Sequence, residues 1–518
     1  MKVAKLRALL LAPTLALSAL LLAAGPTSAP KKGAAPTNSS TSASPAPKGA
    51  PAEPQPEAKP VPKVNPKIFD EALQDYFDGN QRQAAGKLFA YVEATAQTEE
   101  NFAWAQYFLA KSLIELGLRH AGGVYLTKIA RERSNPAVLP RALEELRFLT
   151  EVPHDETMID EQVFGALDLG FLPEETAGFA HYHQGRWDLQ VGSERWALIH
   201  FAKLKEGTAE ASRAKFAVLV TRLKEHKEAS KEMVEDFLEL AEDEKLSQET
   251  RNESKLAVAR LRYEKHDYQG ALDAYEKVQL PPLDPGRATL YLEEAWARYQ
   301  LGQIHAAMGL LTTLDAPVFL NEFLPDKYLL RAMIYKDLCH YLPAKRAAKE
   351  LTRRFAESLE AIREREDLTK DIRLRRAASA QGATKRAAKF LESLTLEGER
   401  VGRYTGNFGE RLYAHLTKLY DLSRAEAQRI YDQRLNESVR AEADKLLRSA
   451  EQVRLMEYEV GLKLYERVRR GAKLVAPEED PEITSAQVAF KFDGEYWNDE
   501  LRDYRVRLKS RCIEEAGR

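Results

Sequence analysis

From about Ile68 to Phe355, apolar residues fall at i, i+3, i+4 and i+7 in runs broken by polar or glycine turns. That spacing predicts short amphipathic helices in pairs. The register is clearest in segments 261–278, 297–314 and 333–351. Tyr263, Tyr299 and Tyr335 stand 36 residues apart. Eight positions on come Ala271, Ala307 and Pro343, the last followed by Ala344. Leu272 matches Met308, Tyr275 matches Leu311, and Pro281 and Pro317 also differ by 36. Turns fall at His266-Asp267 and Gly302-Gln303. Alanine or glycine at a crossing point lets two helices approach, and a large Tyr, Trp or Leu fills the gap beside the next pair. No single pair buries its apolar face, so stacking is required.

Weaker copies precede these. One holds Tyr76-Phe77-Asp78-Gly79, Ala84-Ala85 and Phe89; a second holds Ala110, Leu113, Leu116-Gly117, Ala121 and Tyr125. A third holds Ala180, Tyr182, Gly185, Trp187 and Trp196. Pro136, Pro140, Pro153 and Pro173 interrupt the interval 136–175, where helices are expected at Arg141–Thr150 and Asp160–Leu169. No proline occurs from Ala344 to Ala476, a stretch of strong helix formers with breaks expected at Gly382, Gly398, Gly402, Gly406 and Gly409. Val439, Leu446, Val453 and Val460 recur every seven residues, a coiled-coil-like seam. Its expected partner is 408–435, folded back antiparallel through a turn near Asn436-Glu437. Past Pro477 and Pro481, Gln487–Phe492 and Tyr504–Lys509 alternate, which predicts a small β piece anchored by Tyr496 and Trp497.

The middle segment resembles the tetratricopeptide (TPR) family, whose unit is a 34-residue helix–turn–helix. Trp296, Leu301-Gly302 and Ala306 carry the small/large pattern, as do Ala257, Tyr263, Ala271 and Tyr275. The 36-residue spacing and the degenerate outer units depart from the family pattern and leave a count of about six to eight repeats. The resemblance implies an all-α, right-handed helical solenoid that binds extended peptides or helices. It does not indicate which solenoid face binds. The string FKFDGEYWNDELRDYRVRLKSRC (490–512) resembles, more narrowly, the endings of TPR-bearing envelope proteins of myxobacteria, which implies a part in an adventurous gliding motility complex.

Residues 1–24 change the compartment. Lys2, Lys5 and Arg7 precede an apolar run from Ala8 to Ala24, the pattern of a secretory signal peptide. It is either cleaved, after Ala24 or near Ala29, or kept as an anchor. No cysteine lies near residue 25, so a lipoprotein is not expected. Residues 25–66 are rich in Pro, Ala, Ser and Thr, with eleven of the 24 prolines, and read as a disordered spacer or tether.

Composition then narrows the chemistry. Lys plus Arg is 77 and Asp plus Glu 79, a net charge of −2. No basic excess argues for nucleic acid. Arg373, Arg375, Arg376, Lys385 and Arg386 cluster, but acids interleave, so a solvated face is expected. With two cysteines, a cysteine-built metal site is excluded. His181 and His183 are i, i+2 and point apart on a helix. No phosphate-binding glycine loop or nucleophile elbow occurs. No catalytic, cofactor or metal residue is expected, and the protein is expected not to be an enzyme. In an oxidising compartment Cys339 and Cys512 either form one disulfide or remain a buried and a free thiol.

The expected plan is therefore 1–24 signal, 25–66 linker, 67–357 TPR-like array, 358–476 long-helix, antiparallel coiled-coil-like region, and 477–518 a strand-containing end. The expected role is a periplasmic scaffold whose partners are envelope proteins, associated indirectly with the outer membrane or cell wall, without nucleic acid. An outer-membrane or cell-wall assembly factor, binding barrel precursors or peptidoglycan enzymes, is the alternative.

Overall fold

The computed structural model describes residues 67–133, 135–170, 172, 174–225, 230–380, 382–404, 408–470, 494–497 and 501–512. The signal and linker segments, and Gln487–Phe492, lie outside the described residues. The described chain is helical, and most of its helices come in hairpins. The first hairpins pair Lys67–Phe77 (α1) with Gln81–Ala94 (α2), and Phe102–Glu115 (α3) with Arg119–Glu132 (α4). Leu139–Thr150 (α5) is followed by a π-type helix, Thr157–Gly165, and then by Glu174–Gln190 (α6) and Glu194–Phe201 (α7). Next come Ala209–Glu225 (α8) with Lys231–Glu242 (α9), and Gln248–Glu264 (α10) with Tyr268–Tyr275 (α11). The series closes with Gly286–Gln300 (α12) and Ile304–Thr313 (α13), then Pro325–Asp337 (α14) and Tyr341–Arg354 (α15).

One turn recurs through this series. At Gly79, Gly117, Gly192, His266, Gly302 and Cys339 the backbone is left-handed, with φ between 59° and 80°. Each ends a helix in a Schellman motif. Around Gly302, for example, Gly302 N–H donates to the Tyr299 carbonyl (3.0 Å) and Gln303 N–H to the Arg298 carbonyl (2.8 Å). Around Cys339 the same bonds run from Cys339 to Lys336 (2.9 Å) and from His340 to Tyr335 (2.8 Å). The hairpins are packed as the small/large pattern requires. Ala84, Ala110, Ala121, Ala257, Ala271, Ala307 and Ala344 are fully buried at crossings, and Trp296 and Tyr275 are buried between pairs. Trp196 departs from the pattern: it is 61% exposed.

The interval 136–175 is helical, but its second helix starts earlier than expected, where the Asp155 side chain accepts from Met158 N–H (2.9 Å). It ends at Gly165, where any Cβ would meet the Trp187 ring at 2.5 Å.

After the hairpins come Ala356–Arg363 (α16), Ile372–Ser379 (α17) and Gly382–Arg403 (α18). Gly398 and Gly402 do not break α18; the left-handed glycines Gly382 and Gly409 stand at helix starts. The last helix, Glu410–Arg469 (α19), runs 60 residues without interruption. This corrects the antiparallel, coiled-coil-like hairpin. No turn forms at Asn436-Glu437, because Asn436 stays helical and its side-chain amide donates to the Asp432 carbonyl one turn back (2.9 Å). The seven-residue seam is buried, but Val439 packs on α17 and Leu446, Val453 and Val460 on the hairpins, not on a returning helix.

The chain divides into two compact units. The first gathers described residues up to 204 with 389–428, and the second gathers 205–388 with 429–512. In the first, Leu394, Val401, Phe408, Leu412, Leu416, Tyr420 and Ala427 join the core of α1–α6. In the second, Leu446, Val453, Met456 and Val460 join the core of α8–α15, and Leu435, Val439 and Ala443 pack on Leu374 and Ala378 of α17. Among the described residues no helix is long and apolar enough to cross a membrane.

Candidate functional site: the helix face beneath the C-terminal segment

The described end of the chain is not a β piece. Tyr504–Lys509 forms no strand, and its backbone bonds go to helix ends instead. Exposure still alternates: Tyr504, Val506 and Leu508 are half-buried, while Arg505, Arg507 and Lys509 are exposed. Tyr496 packs on the core, but Trp497 is 61% exposed. The anchor is Leu501, only 2% exposed.

The segment lies along α13. Thr313, Gly309 and His305 stand at i+8, i+4 and i on that helix, so they share one face. The Thr313 hydroxyl donates to the Leu501 carbonyl. Gly309 sits under Tyr504 so closely that a Cβ there would fall 1.7 Å from the Tyr504 carbonyl oxygen. Glycine is needed here for the approach of another backbone, not for its own φ. Val506 N–H donates to the His305 carbonyl (3.0 Å). His305 Nδ1 lies 2.9 Å from the Val506 carbonyl and 3.2 Å from Leu508 N. It donates to the first in one tautomer and accepts from the second in the other. Order along the segment thus runs opposite to order along α13.

The segment then crosses to the next turn. His340 Nε2 meets the Lys509 carbonyl at 2.7 Å, and Arg511 N–H donates to the Leu338 carbonyl (3.0 Å). There Cys339 and Cys512 form a disulfide, with S–S 2.11 Å and Cα–Cα 5.2 Å across 173 residues of sequence. At the other end Arg502 reaches Glu294 of α12, Nη2 to Oε1 at 2.7 Å. Glu294 is fully buried, and its second carboxylate oxygen has no hydrogen-bond partner among the described residues. Burial pushes its pKa up, and Arg502 pulls against that.

The arrangement reads main chain at five residues, Leu501, Val506, Leu508, Lys509 and Arg511, alternate apolar side chains at three, and one arginine. It is a seat for an extended chain. Sequence reasoning named Cys339 and Cys512 and left their pairing open. It missed Glu294, His305, Gly309 and Thr313. The available signal was a glycine amid an i, i+4, i+8 row on a repeat helix.

The remaining polar clusters are held by contacts within the fold. His181 and His183 are not together: His181 Nδ1 is 3.2 Å from His200 Nδ1, and His183 stacks on Phe164 at 4.6 Å. Asp160 is held by Arg186 (2.7 Å) and His154 (3.2 Å). Burial alone would raise the Asp160 pKa, but Arg186 and His154 overcome it and hold the carboxyl well below the usual range. Among the described residues no group of three or more His, Cys, Asp or Glu could hold a metal ion.

By its fold and this seat, the described chain is a series of helix hairpins with an extended segment docked on two of them, α12–α13 and α14–α15. No protein-family model matches it, and no curated protein matches it. Among solved structures it is similar to the crystal structure of yeast Tom70, with a TM-score of 0.28 and 10% identity, over 77% of this chain and 89% of that chain. The assignment of the fold rests on the hairpins themselves.

Proposed function

We propose that this protein is a non-catalytic, TPR-like scaffold that holds protein partners in the periplasm. The observation that carries the reading is the seat on α12–α15, where a helical-repeat surface holds the main chain of an extended segment through hydrogen bonds from or to His305, Thr313, Leu338 and the His340 ring. Repeats built this way offer the same kind of surface to other chains. The signal-like residues 1–24 support the location, and a Cys339–Cys512 disulfide suits an oxidising compartment. Residues 25–66 then space the repeats from the outer membrane or wall. Within that reading, the C-terminal sequence resemblance favours a structural component of a bacterial gliding motility or envelope machine. The assembly-factor reading keeps the same compartment with barrel precursors or peptidoglycan enzymes as partners.

The test is envelope fractionation with identification of the mature N-terminus and crosslinked neighbours. A periplasmic form crosslinked to envelope proteins supports the scaffold. A cytoplasmic form, or no protein neighbour, ends it. Deleting the gene and finding single-cell movement and the other components' positions unchanged would remove the motility assignment alone.

A further inference from the structure

The segment that occupies the seat is the chain's own, and it is fixed there by one bond. We infer that residues 501–512 are a built-in occupant, and that the Cys339–Cys512 disulfide decides whether the seat admits an extended segment of a partner protein. This deepens the scaffold reading and rests on it. The partner chemistry follows from what the seat touches. It takes an extended stretch with apolar residues at alternate positions and basic residues between them, led by an arginine for Glu294.

Three features separate a held ligand from a structural strap. The contacts are mainly to backbone, so other sequences of the same pattern can make them. Gly309 leaves room for a backbone to lie against its helix, which any side chain there would exclude. Arg505, Arg507 and Lys509 are exposed, as are Asp503 and Ser510, and the apolar contact comes from Leu501 and the half-buried Tyr504, Val506 and Leu508. The covalent link joins the end of this segment to the repeat. Cys339 is itself the left-handed turn residue of its hairpin, so the link is planted on the rigid repeat.

Opening is a thiol–disulfide exchange. A dithiol reductant gives two electrons and two protons, the S–S bond breaks, Cys339 and Cys512 become thiols, and the reductant becomes a disulfide. The freed segment stays tethered through the chain after α19 and competes at an effective concentration on the order of millimolar. A partner then wins by affinity or by abundance.

The experiment uses the full chain and a fluorescent peptide copying residues 501–512 with serine in place of Cys512. Binding is measured to the oxidised chain, to the dithiol-reduced chain and to the Cys512→Ser variant. At least a roughly 10-fold tighter apparent affinity is expected for the latter two. Equal affinity in all three states overturns the latch. Gly309→Val, which closes the seat, should abolish peptide binding in every state while α12 keeps its hydrogen-exchange protection. Retained binding in Gly309→Val overturns the location. Dimers of the reduced chain with exchanged ends would overturn the partner chemistry. If envelope proteins crosslink equally to the oxidised and reduced chains, the latch falls and the scaffold stands. If neither peptide nor envelope protein binds any form, both fall.

Discussion

The two units use the same long helix by different means. In the first unit, residues 410–428 of α19 bury an apolar face, Leu412, Leu416 and Ala427, and add to it a buried polar knot. Tyr420 O–H donates to Glu397 Oε2 (2.6 Å), the same oxygen accepts from His120 N–H (3.0 Å), and His120 Nε2 lies 2.7 Å from Ser423 Oγ. Glu397 thereby serves the start of α4, whose own capping residue, Leu118, has no side-chain oxygen. In the second unit, residues 439–460 are joined mainly by an apolar stripe, with one buried hydroxyl, Ser449, donating to Asp326, and Lys336 meeting Glu459 at the margin (3.0 Å). An apolar stripe fixes a face, while a buried polar knot fixes a register, because each unmet donor is costly.

The sharpest test of that contrast lies in a polar element of the apolar unit. Arg260 and Glu293 are 5% and 6% exposed, and Nη2 lies 2.8 Å from Oε1 with Nε 3.0 Å from Oε2. Glu293→Ala leaves a buried guanidinium unpaired and should cost about 3–5 kcal/mol. Hydrogen exchange on α10 and α12 reads the loss locally, which matters in a chain of two units. A loss below about 1 kcal/mol would show that the pair is not carrying those helices.

Leu446→Ala comes next. Leu446 is fully buried in the seam, and its truncation should cost the second unit about 3 kcal/mol. Protection should fall on α14 and the second half of α19, with α3 and α4 unaffected. Uniform loss across both units would mean the helix couples them too tightly for the contrast to hold. Glu397→Gln should cost the first unit about 2 kcal/mol, since a charged acceptor shared by two donors becomes neutral. Chemical denaturation followed at α4 checks it, and an unchanged midpoint would reduce the knot to a packing contact.

How far the sequence foretold this differs by feature. The 36-residue register found the hairpins because alanine crossings and large fillers obey packing rules that survive in one sequence. The turn residues were half-hidden: Gly302 announces a left-handed position, but His266 and Cys339 adopt it without glycine. The heptad at Val439, Leu446, Val453 and Val460 located a buried face correctly. It could not say what covers that face, since hairpins and a returning helix impose the same spacing. Asn436 looked like a turn residue, yet its amide bonded back into the helix. The alternation at Tyr504–Lys509 signalled an extended chain half in contact with a surface, and a helix supplied that surface instead of a strand. The seat itself was illegible because its parts, Glu294, His305, Gly309 and Leu501, are distant in sequence and ordinary one by one.

The smallest predicted effect asks whether the units also differ in response to pH. Burial drives His120 down to about 4 and His183 down to about 3, both in the first unit. A histidine whose folded pKa is lowered adds stability that is whole above about pH 6.5 and is lost as pH falls toward the folded value. In the second unit burial, aided by Glu249, raises Glu253 to about 7. An acid with a raised folded pKa adds stability that is whole below about pH 4.5 and is lost as pH rises through about 7. Between pH 5 and 6.5 the slopes should therefore oppose. Protection on α4 should rise with pH while protection on α10 falls, after correction for intrinsic exchange rates. His154 and Glu397, whose pKa values are raised, shallow the first slope without reversing it, because two histidines lie far below their ordinary value. Glu253→Gln should flatten the slope on α10 and leave α4 as it was. Parallel slopes in the two helices, or a slope on α10 that persists in Glu253→Gln, would mean that the groups named here do not govern the response and that the two units share one titration.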